Sequence, residues 1–519
     1  MSAEQLGLMR RPVASAVGLF MAASALSVVE TAYADPLDEP AMTSLSTIEA
    51  DKRPNIITIV ADDMRLDDMR YMPYARRLIF KAGATFTNNG VNDSFCCPSR
   101  ASNLTGEYAH NTGIYTNEYP GGFMGFHDKG LESLGYNLAL QRKGYTTGMI
   151  GKFMNQYPYD VSAPKHRVAP TYVPKGWDYW SVPVGGSPYG QWNYTLNVSG
   201  KLVRKKNEYL GGVITQQATD FIGRNQDKPF LLNLWTYSPH YPSVPAPQDR
   251  GKFAHVKLPK TANFNEADVS DKAGYMRTRP RLSGRQIAYI HDQYRRRLQS
   301  LQSVDRMVKQ VVQKLRATGE LADTYLLFTS DNGANLGEHR LPYSKNTPNQ
   351  ESIRVPLGIR GPGIAPGTKV DQLAVNIDIA PTIFDIVGLP KNPRHDGDSL
   401  LPLAEGKGVS SWRQGYMIEG VDEGHYVAPG TIEEPGSQNE RRGERPRFYG
   451  VIGERYKLIE YFSGARELYD LQSDPYELRN LLPRNKPVPK KVQPILNHMR
   501  GMLKQLNGCE GADDCRAQY

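Results

Sequence analysis

Asn55-Ile56-Ile57-Thr58-Ile59-Val60 is an unbroken, largely apolar run that leads through Ala61 into the adjacent carboxylates Asp62 and Asp63. Apolar side chains in succession, rather than on alternate positions, predict a strand buried on both faces, as in a parallel sheet covered by helices. Three further runs have the same form. Thr147 to Ile150 leads into Gly151 and Lys152, Phe230 to Trp235 into Ser238, Pro239 and His240, and Tyr325 to Thr329 into Ser330, Asp331, Asn332 and Gly333. Four strand ends that each present polar or ionic groups predict an α/β fold whose central sheet has one active edge. Between them, Ile290, Tyr294, Leu298, Leu301, Val304, Val308, Val311 and Leu315 recur at three- and four-residue spacing and stop near Gly319, which predicts a helix packed on the sheet. The triple Arg295, Arg296, Arg297 within it, and the run Lys201 to Lys206, read as solvated faces.

Beyond Leu389 and Pro390 the texture changes. Residues 428–446 read as a long loop, and Phe448 to Ile452 with Tyr456 to Tyr461 read as a hairpin. The expected organisation is a larger α/β part over residues 35–400 and a smaller C-terminal α+β part with an antiparallel sheet over 401–519.

Composition narrows the function. The 519 residues are 39% hydrophobic and 23% charged, which excludes wholesale disorder. Lys and Arg exceed Asp and Glu by 63 to 54, a bias toward anions with no polybasic arm, so no nucleic-acid partner is expected. Arg10 and Arg11, the apolar run Val13 to Val29, and Ala32-Tyr33-Ala34 read as a signal peptide over residues 1–34, cleaved near Ala34. A secreted or periplasmic protein follows, and with no second apolar run of spanning length, no stable membrane insertion is expected. Of the four cysteines, Cys509 and Cys515 could close a small loop outside the cytoplasm. Neighbouring Cys96 and Cys97 have Cα atoms about 3.8 Å apart, below the usual disulfide separation, so at least one has another fate.

Asp62, Asp63, Asp331 and Asn332 together offer an all-oxygen set suited to a hard cation such as Ca²⁺ or Mg²⁺; as helix caps, Asp62 and Asp331 would have a purely structural role. Pro98 suits a first helical turn, which places Cys96 at a helix N-terminus where negative charge is favoured. As a bare thiol Cys96 is a candidate nucleophile, with no Cys/His pairing legible in the sequence.

Cys96-x-Pro98-Ser99-Arg100 with Leu104-Thr105-Gly106 resembles the defining motif of the type I sulfatases, in which the first cysteine is oxidised to formylglycine (3-oxoalanine). The similarity runs from about Pro54 to Leu482 and takes in Gly151-Lys152, Ser238-Pro239-His240, Asp331-Asn332-Gly333, Arg354-Val355-Pro356, Arg360-Gly361-Pro362-Gly363 and Glu467-Leu468-Tyr469-Asp470-Leu471. The resemblance implies an alkaline-phosphatase-like fold with one Ca²⁺ per chain, held by Asp62, Asp63, Asp331, Asn332 and formylglycine at 96. It also implies a sulfate pocket of Arg100, Lys152, His240 and Lys345, the last aligned by distance from Asp331 more than by motif. A formylglycine-generating enzyme would act during synthesis. In such a site the hydrated aldehyde supplies the oxygen nucleophile, the cations neutralise the sulfate, and His240 protonates the departing alcohol. Gly151-Lys152-Phe153-Met154-Asn155-Gln156-Tyr157, Gly176-Trp177 and the doubled Cys96-Cys97 are more similar to the N-acetylglucosamine-6-sulfatase branch, and Met154 stands where many members have histidine. The implied substrate is a sulfated small molecule or glycan such as N-acetylglucosamine 6-sulfate. Alternatives are a broad arylsulfatase, a phosphate or phosphonate ester hydrolase, and a non-catalytic binder of sulfated glycans. Tyr157, Trp177, Trp180 and Trp192 would either stack on sugar faces or fill the core.

Overall fold

The computed structural model describes residues 53–160, 163–420 and 446–517. The signal peptide expected over 1–34 and nearly all of the loop expected over 428–446 lie outside the described residues.

Among the described residues ten strands form one sheet: β1 (Asn55–Asp62), β2 (Ala84–Gly90), β3 (Thr146–Gly151), β4 (Tyr179–Ser187), β5 (Trp192–Val198), β6 (Lys201–Lys205), β7 (Phe230–Pro239), β8 (Thr324–Ser330), β9 (Leu357–Arg360) and β10 (Thr368–Val375). Their order is β10-β2-β9-β8-β1-β7-β3-β4-β5-β6. The four apolar runs singled out in the sequence become β1, β3, β7 and β8. They lie side by side with β8 and β7 flanking β1 and β3 beyond β7, all parallel. Parallel pairing sends every C-terminal strand end to the same edge, so Asp62, Lys152, His240 and Asp331 converge there. Antiparallel pairs occur toward the margins, at β8–β9, β2–β9, β4–β5 and β5–β6. The basic run beginning at Lys201 is the exposed edge strand β6, where lysines discourage pairing with other chains.

Helices cover both faces, among them α1 (Cys96–Thr105), α2 (Leu210–Arg224), α3 (Gly284–Ala317) and α4 (Ile379–Ile386). α3 begins with a capping box in which the Ser283 side chain accepts from Gln286 N and the Gln286 side chain accepts from Ser283 N. The whole stripe from Ile290 to Leu315 predicted from its spacing is buried. At about 1.5–3 kcal/mol for each fully buried large apolar side chain, that stripe holds α3 to the sheet. One expectation on this helix is overturned. Arg297 is 0% exposed, because at 100° per residue it falls on the inward stripe three residues after Tyr294 and four before Leu301.

A second sheet is antiparallel throughout, with β11 (Gly415–Gly420), β12 (Phe448–Gly453), β13 (Tyr456–Tyr461) and β14 (Arg466–Asp470) in sequential order. Helix α5 (Gln493–Leu506) buries Leu496, Met499, Met502, Leu503 and Leu506 in the cluster that includes this sheet. Cys509 and Cys515 are disulfide-bonded, as the sequence allowed, whereas Cys96 and Cys97 are buried and form no disulfide.

Candidate active site

The site begins with a backbone reversal at the end of β1. Asp63 has φ 65°, a left-handed conformation that aspartate tolerates better than most residues and that ends the pleat. Adjacent side chains that would point to opposite sheet faces can therefore converge. Arg297 of α3 holds the turn from beneath, donating from Nη2 to Asp63 O at 2.5 Å and to Asp68 Oδ2 at 3.0 Å. At the end of β3, Gly151 has φ 108°, and a Cβ there would sit 1.9 Å from Trp235 O. Only glycine permits this close turn, which aims Lys152 back across the sheet edge.

Three carboxylates and three cations interlock at this edge. Lys152 Nζ lies 3.1 and 2.9 Å from the two Asp62 oxygens. Lys345 Nζ lies 2.8 Å from Asp63 Oδ1. Arg100 contacts Asp331 Oδ2 through Nε at 2.9 Å and Nη2 at 2.8 Å, and its guanidinium lies 5.3 Å from the Trp235 ring. All six side chains are buried. Burial alone would raise the pKa of the Asp63 carboxyl, but Lys345, His240 and Lys152 together hold it far below the usual carboxylate range. Burial raises that of Asp331, with Arg100 opposing and Asp62 and Asp63 adding to the rise.

Cys96 opens α1 after the extended residue Phe95. Its Sγ lies 3.7 Å from Asp62 Oδ1 and 2.8 Å from Lys345 Nζ. Burial pushes this thiol well above its ordinary pKa despite the pull of Lys152 and Lys345, so the free cysteine is held as a thiol. Cys97 faces elsewhere, accepting from Asn155 N at 3.1 Å. His240 sets Nδ1 2.6 Å from Tyr241 O, which requires the proton on Nδ1 and leaves Nε2 turned to the site, 3.6 Å from Asp63 Oδ2.

Every catalytic and metal-ligand candidate from the sequence, Lys345 included, is thus part of one cluster, which Asn332 joins by donating from Nδ2 to Asp63 Oδ1 at 2.7 Å. One ligand atom each from Asp62, Asp63, Cys96 and His240 lies within 4.8 Å of the others. Asn332 adds a buried Oδ1 with no hydrogen-bond partner, an orphaned acceptor of the kind a cation satisfies. An oxygen-rich donor set of this kind fits a hard divalent ion. A second group, His339, Glu351 and Glu477, has different surroundings. There Lys457 already pairs with Glu477, and both His339 nitrogens are hydrogen-bonded, to Glu266 and Asn263.

The family model described as Sulfatase matches residues 54–389. The chain belongs to the sulfatase family. It is accordingly a sulfuric ester hydrolase. Residues 436–507 match a second model, N-sulphoglucosamine sulphohydrolase, C-terminal. The sulfatase is 32% identical over 492 residues to human N-acetylglucosamine-6-sulfatase, covering 89% of this chain and 85% of that one. It is 29% identical over 523 residues to the arylsulfatase of Chlamydomonas reinhardtii, covering 91% and 76%. Its fold is similar, with a TM-score of 0.72 at 24% identity over 88% of this chain and 98% of the other, to a protein solved in complex with its substrate D-glucosamine-2-N,6-O-disulfate. The fold is also similar to the phosphonate monoester hydrolase of Silicibacter pomeroyi, with a TM-score of 0.63 at 21% identity over 88% and 97%. This is the alkaline-phosphatase-like architecture anticipated above.

Sequence reasoning missed the sulfatase's supporting layer. Tyr343 donates to Asp63 Oδ2 at 3.3 Å and receives Arg297 Nη1 at 3.2 Å. Ser99 donates to Asp331 O at 2.5 Å, tying α1 to the end of β8. The helical period would have revealed Arg297, Ser99 stood within the Cys96–Arg100 motif with no role assigned to it, and no local signal marks Tyr343. Of the four aromatics proposed to meet sugar, Trp177 and Trp180 are core, Trp192 packs edge-on against Tyr209, and Tyr157 donates to Tyr172 O while receiving Trp180 Nε1.

Proposed function

We propose that this sulfatase hydrolyses the sulfate ester of a sulfated sugar, with N-acetylglucosamine 6-sulfate as the model substrate, using one Ca²⁺ and a formylglycine made from Cys96. The observation that carries the reading is the placement of position 96, at a helix N-terminus between the Lys345 ammonium and the Asp62 carboxylate. A buried thiol of raised pKa is a weak nucleophile, because the thiolate is the attacking species. Ca²⁺ held by Asp62, Asp63, Asp331, Asn332 and position 96 would offset the facing carboxylates, and formylglycine would supply an oxygen nucleophile.

The chain's own residues supply the rest. The charges of Asp62, Asp63 and Asp331 are balanced by Arg100, Lys152 and Lys345, so a divalent ion leaves the site net positive and attractive to a sulfate ester. Lys152 and Lys345 stand beside position 96, where they neutralise sulfate oxygens, and Arg100 braces Asp331. His240, oriented by Tyr241 O, carries a proton on Nε2 when charged and passes it to the leaving alcohol.

The relatives that act on glucosamine sulfates support the sugar. Catalysis is assigned to residues 35–400 and a supporting role to 401–519. Export follows cleavage near Ala34, with a formylglycine-generating enzyme acting during synthesis. Among the described residues no helix is long and apolar enough to cross a membrane.

Mass spectrometry of the peptide containing position 96 should find formylglycine, and Cys96→Ala should release no sulfate while keeping its fold by circular dichroism. Unmodified cysteine throughout an active preparation refutes the mechanism. The likeness to a phosphonate monoester hydrolase fold favours a second reading, hydrolysis of phosphate or phosphonate esters. Faster turnover of a phosphate ester than of its matched sulfate ester would establish it.

A further inference from the structure

A cavity of about 390 Å³ opens directly beside the charged cluster, with Lys152 in its wall. That volume is at the small end of the roughly 300–1,000 Å³ typical of ligand pockets, room for a sugar residue rather than a long glycan segment. Its other walls come from the end of β4 (Gly185, Gly186 and Ser187), from Tyr189 in the β4–β5 connection, and from Asn155 and Tyr237. The β4–β5 pairing shifts register twice along this wall, between Pro183 and Gly185 and between Gly186 and Ser187. Gly185 has no atom within 4 Å of where its Cβ would be, so the wall is open on that side. Apart from Lys152 the lining is uncharged and mixes amides, hydroxyls and tyrosine rings, Tyr157 among them, with apolar groups such as Met154 and Val184, a match for a neutral polyhydroxylated ring with an amide substituent and apolar C–H faces.

Tyr189 joins this cavity to the reacting groups. Its ring centroid is 4.5 Å from the His240 ring and 5.2 Å from Lys152 Nζ. It also meets Tyr237 edge-on at 5.1 Å, and its hydroxyl receives Asn155 Nδ2 at 3.4 Å. Rings packed on several sides lose little freedom on binding and so make effective platforms for sugar C–H faces. Lys152 at this ring also disfavours a cationic leaving group.

Resting on the sugar-sulfatase reading above, we propose that the leaving alcohol is a pyranose residue lodged in this cavity and that Tyr189 is the residue that selects it. The ring packs on the sugar while the ester oxygen faces His240 Nε2 and the sulfate enters the cation cluster.

The test compares wild type, Tyr189→Ala and Tyr189→Phe, each with N-acetylglucosamine 6-sulfate and with 4-nitrophenyl sulfate as substrate. Inhibition by inorganic sulfate reads the anion site alone. Losing the ring should raise KM for the sugar sulfate about tenfold with a much smaller change in kcat. The inhibition constant for sulfate should stay within about twofold, and Tyr189→Phe should restore wild-type KM, since the ring and not the hydroxyl makes the contact. An unchanged KM in Tyr189→Ala, or a parallel rise in KM and in the sulfate inhibition constant, overturns the inference and leaves the sugar reading standing. Tyr189→Phe as impaired as Tyr189→Ala also overturns it, because the hydroxyl would then be responsible. Wild type that cleaves 4-nitrophenyl sulfate but no sugar sulfate overturns the sugar reading, and this inference with it.

Discussion

His395 is fully buried beside Gly106, the residue that ends the Cys96 helix, and packs edge-on against Phe384 at 4.7 Å. Neither ring nitrogen has a hydrogen-bond partner among the described residues. Burial, with Lys391 adding to it, lowers the imidazole pKa to about 4 from an unfolded value of 6.5. Above pH 6.5 the ring is neutral folded or unfolded and favours neither state. As the pH falls the unfolded chain takes up the proton first, so stability is lost from about 6.5 down to about 4 and the loss then levels off. A difference of about 2.5 units is worth roughly 3 kcal/mol in full, of which about 2.5 kcal/mol is expressed between pH 7.5 and 4.5. Other groups titrate in this range, so the measurement is a difference. Urea unfolding of wild type and of His395→Leu at the two pH values should show wild type losing about 2.5 kcal/mol more than the variant. Equal losses in the two proteins would refute the assignment, because they would mean that His395 takes up its proton in the folded state without penalty.

The remaining predictions concern the site itself. Arg297→Met should leave Asp68 and the Asp63 turn without their buried partner, costing about 3–5 kcal/mol and lowering both the unfolding midpoint and sulfate release, to be read by thermal denaturation and by turnover. A merely solvated arginine would cost within about 0.5 kcal/mol. Saturating calcium should raise the unfolding midpoint of protein first treated with chelator, by about 2.7 kcal/mol of stability at a hundredfold excess over Kd. Asn332→Ala, which deletes the orphaned Oδ1, should weaken that response, and an identical calcium titration would exclude this residue as a ligand.

Much of the fold was legible in the sequence because its signals are local. Uninterrupted apolar runs specify buried strands, three- and four-residue spacing specifies α3, and the length of the motif from Cys96 to Gly106 makes the sulfatase family recognisable from a few residues. The polar residues just past each run were visible as candidates for the same reason. Which of them meet is a property of strand order, and that is decided by tertiary packing. β8, β1, β7 and β3 lie next to one another although residues from distant parts of the chain make them, so Asp331 reaches Arg100 and Lys152 reaches Asp62. Lys345, on a loop with no periodicity, acquires its place only from that assembly. Aromatic residues show the same division, since composition does not separate Trp180 in the core from Tyr189 at the cavity. Hydrophobic pattern fixes what each segment becomes on its own; the chemistry of the site comes from long-range contacts, whose partners are set by how the segments pack and not by their spacing along the chain.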